Sequence, residues 1–220
     1  MVMTRFTVVF DLDDTLIASA RARHRAYRSL SSFGIDPREA EAASARWWGE
    51  YYQGKCSLEE LRHNRWLDLG LSSTMAREID ERIRRHHADI RARTGARRLL
   101  ERLRAADVAM VLLSNSGIDY MRERVRALKA EHLLDGIVDM AETRWKPDPA
   151  GFRYALDLVG GVPHRAAMVG DKLDTDVEGA LAAGFCGVVW LTRLKSHRDP
   201  RVICVPSLAA AEAQLLQLAT

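Results

Sequence analysis

Three carboxylates follow directly on an apolar run: Phe6-Thr7-Val8-Val9-Phe10 leads into Asp11-Leu12-Asp13-Asp14-Thr15. A short run of apolar and β-branched residues reads as a strand buried on both faces, the form strands take in a parallel sheet covered by helices. The carboxyl end of such a strand is where open α/β sheets place their ligands. Like charges converging there repel one another unless a proton or a cation lies among them, and a bound divalent metal ion answers that need most simply. If extended geometry continues past Phe10, Asp11 and Asp13 project to one side and Leu12 to the other, so both carboxylates can face one substrate. The N-cap and first turn of a following helix would account for Asp14 and Thr15, but give no reason for Asp11 to sit flush against the apolar run.

One strand cannot be stable alone, so the rest of the chain must supply its sheet. From Leu16 to about Arg93 there is almost no strand signal, only helical patterns broken by short turn clusters. The first helix is expected from about Thr15 to Ser31, ended by Phe33-Gly34-Ile35-Asp36-Pro37. A second begins near Pro37 and ends at Gly54-Lys55. Ser57-Leu58-Glu59-Glu60 is a capping box that opens a third helix to about Leu69, and Ser72-Ser73 precedes a fourth reaching about Ile90. After Thr94-Gly95 helix and strand alternate: helix 96–105, strand 108–113, helix 118–129, a strand near 137–139, a helix after Pro149, strand 166–169, helix 174–183 and strand 187–190. That rhythm implies a doubly wound parallel sheet of Rossmann-like α/β class. The expected organisation is a core of residues 1–16 and 94–220, with residues 17–93 as an inserted helical bundle above the sheet end.

Three further strand ends carry polar groups suited to phosphoryl transfer. Val108 to Leu113 runs into Ser114-Asn115-Ser116-Gly117, where hydroxyl and amide donors followed by Gly suit an anionic oxygen; an ordinary helix N-cap is the alternative. Lys146 precedes Pro147-Asp148-Pro149, whose prolines stiffen the turn, and a fixed Lys suits a phosphate. Ala166 to Val169 ends in Gly170-Asp171, with Asp174 and Asp176 close behind.

These four segments, in this order and spacing, resemble the four motifs of the haloacid dehalogenase-like hydrolase superfamily. The segment between the first and second motifs resembles the helical cap inserted there by one branch of that superfamily. The resemblance implies that Asp11 is a nucleophile forming an aspartyl-phosphate, and that Asp13 is the general acid and then the general base, for which it must hold a proton when the ester breaks. It implies that Ser114, the N–H of Asn115 and Lys146 grip the phosphoryl oxygens, and that Mg²⁺ is held by Asp11, the backbone carbonyl of Asp13 and Asp171. Thr15 would orient Asp13 or its loop, Asp176 would support the metal through water or Lys146, and Asp174 would be an N-cap. Dehalogenases of the superfamily lack an Asp two residues after the nucleophile, so Asp13 favours a phosphatase. A phosphomutase, a dehalogenase and a non-catalytic binding protein on the same fold are the alternatives.

Substrate choice would fall to the helical insert, where Trp47, Trp48, Tyr51, Tyr52 and Lys55 cluster, with Trp145 beside Lys146 as another candidate pocket wall. Trp47 and Tyr51 lie four residues apart, as do Trp48 and Tyr52, so at least one pair is expected to face the interior of the bundle. The expected substrate is a small phosphorylated metabolite such as a sugar phosphate or nucleotide, the oligomeric state being monomer or homodimer. The 33 basic and 30 acidic residues are too evenly balanced and interspersed to argue for nucleic acid. Met1 to Thr7 holds one Arg and no apolar run long enough for a signal peptide or membrane span, so a cytoplasmic protein is expected. Cys56, Cys186 and Cys204 lack ligand spacing and read as reduced, and His86 with His87 reads as a solvated helix face.

Overall fold

The computed structural model of the chain describes residues 4–88 and 91–220, without the side chains of 84 and 86–88. The chain runs β1 (Thr7–Phe10), β2 (Ile17–Ala18), helices α1 (Ala20–Arg28), α2 (Pro37–Tyr52), α3 (Leu58–Leu67) and α4 (Ser73–Ala88), then β3 (Arg91–Ala92) and α5 (Ala96–Ala105). There follow β4 (Ala109–Leu112), α6 (Ile118–Ala127), β5 (Gly136–Ile137), α7 (Pro149–Asp157), β6 (Ala166–Gly170), α8 (Glu178–Ala182), β7 (Gly187–Leu191), β8 (Val202–Val205) and α9 (Leu208–Ala219). Two compact units result, Met1–Ala18 with Arg91–Thr220 and Ser19–Ile90.

The first unit is a six-stranded, wholly parallel sheet in the order β5-β4-β1-β6-β7-β8, with helices on both faces. The chain builds outward from β1 on one side and then on the other, so β1 lies at the switch point where the connections diverge. Thr7 pairs with Ala109 and Ala166, and Phe10 with Leu112 and Val169, so the chain leaves β1, β4 and β6 level at one edge. Burial on both faces explains the unbroken apolar strands: every residue of β1, β4, β6 and β7 is buried. On one face Val9, Val111 and Met168 pack with Phe152 of α7 and Phe185, whose rings meet edge-on with centroids 5.8 Å apart.

Asp135 ties the outer edge of this sheet together. It accepts from the Met110 N–H at 2.8 Å, Arg5 at 3.0 Å and Arg104 at 3.1 Å. Burial pushes its carboxyl up, but these donors outweigh burial and hold it below the usual carboxylate range. A group of depressed folded-state pKa stabilises above its unfolded value and loses that contribution as pH falls. Asp135→Ala should therefore lose about 1–3 kcal/mol near neutral pH, and much less in acid, as read from thermal unfolding at both.

The second unit is a bundle of α1 to α4 around Ala40, Trp66, Ala76 and Ile79. Its third helix opens with the anticipated capping box: Ser57 Oγ accepts from the Glu60 N–H, and the Glu60 carboxylate accepts from the Ser57 N–H at 2.7 Å. Arg65 and Asp80 form a buried ion pair at 2.8 Å between α3 and α4.

Several expectations are corrected. The helix placed from Thr15 to Ser31 starts later: residues 12–15 turn tightly, Ile17–Ala18 pairs antiparallel with Arg91–Ala92, and α1 spans only Ala20–Arg28 before a 3₁₀ segment at Ser29–Phe33. The turn is held by the Leu12 carbonyl, which accepts from the N–H groups of Thr15, Leu16 and Ile17, and by Asp14 at φ 61°. Buried Leu16 and Ile17 are drawn into the sheet unit instead of continuing a helix. Asp174 caps nothing, because Leu173–Val177 is a π-helical turn that precedes α8 and has no side-chain cap. Beyond Trp190 the structure adds β8 and α9. The side chains of His86 and His87, read above as a solvated helix face, lie outside the described ones.

Candidate active site

The level strand ends bring four segments of the sheet unit to one place. Asp11 follows β1 and its own N–H donates to the Val169 carbonyl at 2.9 Å, which fixes the carboxylate beside the end of β6. Ser114 stands two residues beyond β4 and is buried. Neither Ser114 nor Ser116 caps α6, whose N-cap is Gly117 with no side-chain cap, so the capping alternative fails. Asn115 binds the third segment instead: its Nδ2 donates to the Lys146 carbonyl and its Oδ1 accepts from the Lys146 N–H, both at 2.8 Å.

Lys146 is 4% exposed, and its ammonium lies between two buried carboxylates, 2.7 Å from Asp11 Oδ1 and 2.6 Å from Asp176 Oδ1. Asp176 is positioned by the π-helical turn, a form that recurs at functional sites. Its Oδ2 accepts from the N–H groups of Asp171 and Lys172 at 3.1 and 3.0 Å. Gly170 makes room for it, since a Cβ there would lie 2.3 Å from Asp176 Oδ2. Gly170→Ala should accordingly cost about 1–3 kcal/mol through overpacking, measured as a lower thermal midpoint. An unchanged midpoint would show that Asp176 moves aside freely. The Trp190 indole N–H donates to the Asp171 carbonyl at 2.9 Å and steadies the same loop.

Charge in this cluster does not balance. Three carboxylates, Asp11, Asp171 and Asp176, bring oxygens within 4.8 Å of one another, and Lys146 supplies one positive charge among them. Burial, reinforced by Asp176 and resisted by Lys146, pushes Asp11 up to about 7. Burial with Asp176 and Asp14 pushes Asp171 up to about 6. Lys146 moves upward because its two acids outweigh the penalty of burial. Such an excess of buried negative charge is what a divalent cation relieves.

The donors fit a hard cation. Asp171 Oδ1 is buried without a hydrogen-bond partner, an orphan that an all-oxygen metal site would satisfy. Asp176 fits direct ligation less well, because both its oxygens already accept hydrogen bonds. Asp11 and Asp171 are thus the side chains with capacity for Mg²⁺.

Asp13, two residues past Asp11, has its carboxylate turned to the second segment. Ser116 Oγ donates to Oδ2 at 2.9 Å and the Tyr120 hydroxyl to Oδ1 at 3.1 Å. Burial and the adjoining Asp13 push the Tyr120 phenol upward, so it stays protonated. Sequence reasoning missed both partners. Thr15 does not orient Asp13: it is fully buried and its hydroxyl has no hydrogen-bond partner. Arg93 donates to the Asp14 carbonyl and braces the turn from the start of the returning chain.

The aromatic candidates lie mostly in the helical unit. Trp48 stacks on Tyr52 at 5.6 Å and meets Tyr51 edge-on at 5.7 Å, while the Trp47 indole donates to Asp68 at 2.7 Å. All four rings are half-buried; the buried face of α2 is Ala40, Ala43 and Ser44, so neither pair fills the interior as expected. Lys55 pairs with Glu50 at 3.4 Å. Trp145, next to Lys146, packs against the core of the sheet unit.

The sequence model of the haloacid dehalogenase-like hydrolases matches residues 7–184. An N-acylneuraminate-9-phosphatase of Mus musculus is 38% identical over 95 residues, 43% of this chain and 38% of that protein. A phosphoserine phosphatase of Thermus thermophilus is 36% identical over 138 residues, 60% of this chain and 53% of that one. The matched segments thus span about two-fifths to one-half of these curated relatives. Among solved structures, the HAD-hydrolase YfnB of Bacillus subtilis, determined bound to magnesium, superposes with a TM-score of 0.78 at 19% identity, covering 97% of this chain and 99% of its own, a likeness of fold.

Proposed function

The chain belongs to the haloacid dehalogenase-like hydrolase family, and we propose that within it the protein is a Mg²⁺-dependent phosphatase of a small phosphorylated metabolite. The observation that carries this reading is the pairing of Asp11, held by Lys146 at 2.7 Å, with a second carboxylate on Asp13 two residues on. The phosphatase names of the matched relatives support it.

In this mechanism Lys146 holds Asp11 Oδ1, and the other oxygen of Asp11 attacks phosphorus. The bond to the leaving oxygen breaks, Asp13 passes its proton to that oxygen, and an aspartyl-phosphate forms on Asp11. Asp13, now ionised, takes a proton from the water that attacks the same phosphorus and restores Asp11. Ser114, the Asn115 N–H and Lys146 hold the phosphoryl oxygens while their charge redistributes. Mg²⁺ on Asp11, Asp171 and the Asp13 carbonyl would supply neutralisation between the attacking carboxylate and the phosphate. The four-helix unit, residues 19–90, would serve as the cap that selects the substrate.

Asp13 also sets this reading apart from halide displacement, whose leaving group takes no proton. Phosphate and halide release, measured in parallel over a panel of phosphometabolites and haloacids, test the choice: phosphate release alone is expected, and halide release alone overturns it. Removing divalent ions with EDTA should abolish hydrolysis of an aryl phosphate, and added Mg²⁺ should restore it. Full activity in EDTA would contradict the assigned role of Asp171.

A further inference from the structure

Asp13 lies in a loop, yet both of its carboxylate oxygens are gripped. The two donors, Ser116 and Tyr120, stand 103 and 107 residues away in sequence, in the turn after β4 and the first turn of α6. Tyr120 is itself held. Arg124, four residues on along α6 and 6% exposed, places its guanidinium carbon 4.9 Å over the Tyr120 ring centroid.

We infer that Tyr120, together with Ser116, is a positioning residue for the proton transfers of Asp13, with Arg124 fixing the tyrosine ring. The inference rests on the phosphatase reading above. A protonated carboxyl keeps acceptor lone pairs on both oxygens, so both hydroxyl donations survive when Asp13 carries its proton. With those positions occupied, the acidic proton must take one of the remaining lone-pair directions, away from Ser116 and Tyr120. The proton moves to the ester oxygen as the P–O bond breaks, and the carboxylate left behind is stabilised by the same two donors. Neither hydroxyl exchanges a proton with the substrate; both set where the carboxyl points.

Help from a general acid matters most when the leaving group is a poor one. An alkoxide needs the proton of Asp13, whereas dinitrophenolate leaves without one. Tyr120→Phe retains the ring and its contact with Arg124 while deleting the hydroxyl. For this variant kcat/KM should fall about tenfold or more with an alkyl phosphate, glycerol phosphate or ribose phosphate, whichever the parent hydrolyses. With dinitrophenyl phosphate it should stay within about twofold of the parent, because that ester does not draw on the general acid. Ser116→Ala should shift the same ratio in the same direction, and it decides the question alone if Tyr120→Phe does not fold. Equal losses on both esters, or no loss on either, overturn the inference and leave the phosphatase reading standing. If the parent hydrolyses neither ester, the phosphatase reading fails and this inference fails with it.

Discussion

Asp11→Asn is expected to abolish turnover of an aryl phosphate, by at least about 10³-fold, because removing a nucleophile that forms a covalent intermediate leaves only the binding and electrostatic contributions of the site. The fold should not suffer. The amide keeps an oxygen for Lys146, which retains its second partner Asp176 at 2.6 Å. The substitution also removes one of three crowded carboxylates, the one that burial drives up to about 7. Thermal unfolding should therefore show a midpoint equal to or above that of the parent, and this separates loss of chemistry from loss of structure. Activity within about tenfold of the parent would remove Asp11 from the role of nucleophile.

Lys146→Met should damage the molecule in both respects. Its ammonium is the shared partner of Asp11 and Asp176, all three being buried. Taking one partner from a buried ion pair leaves uncompensated charge, a loss of about 3–5 kcal/mol. Asp11, which burial already pushes up to about 7, would then favour its protonated form further once Lys146 no longer resists that shift. A carboxyl of raised folded-state pKa disfavours folding once pH exceeds its unfolded value, so the variant should regain stability as pH falls into the ordinary carboxylate range. Parent and variant compared by denaturant unfolding near neutral pH and in mild acid should differ strongly at the first and much less at the second. A constant difference would mean that methionine costs stability through shape alone. Hydrolysis should fall by about 10²-fold or more even where the variant is folded, since a fixed cation facing the transferring oxygens is lost.

The parts of the molecule legible in the sequence are those governed by local rules. An apolar run that ends in acids announced β1 and its ligand end, alternation of strand and helix announced the parallel sheet, and Ser57 with Glu60 announced the start of α3. Helix α5 was expected over 96–105, after Thr94-Gly95, and spans Ala96–Ala105. Asp176 was expected to support the metal through water or Lys146, and the structure places its Oδ1 2.6 Å from the Lys146 ammonium.

What was not legible depends on long-range pairing or on backbone forms without a sequence signal. Strands β2 and β3 contain two residues each and pair across the whole helical segment, so neither has a pattern of its own. The π-helical turn at Leu173–Val177 reads as an ordinary helix start until the nearness of Gly170 to Asp176 is seen. Asn115 was named for its N–H, while its side chain joins the Lys146 backbone through two hydrogen bonds that no spacing rule foretells. Tyr120, in the first turn of α6, carries no sequence signal that sets it apart. Its role emerges only when the sheet register brings α6 beside a carboxylate 107 residues away. On α2 the helical spacing of the aromatics was read correctly, but small residues filled the interior and the rings were left half-buried.

The covalent step itself can be trapped. Protein mixed with dinitrophenyl phosphate and Mg²⁺, quenched during turnover and treated with borohydride, would have any acyl phosphate reduced to an alcohol, turning the modified aspartate into homoserine that peptide mass spectrometry can locate. The account predicts that conversion at position 11, dependent on substrate and absent from Asp11→Asn. Steady phosphate release with position 11 unmodified, or with the modification on another carboxylate, would contradict it.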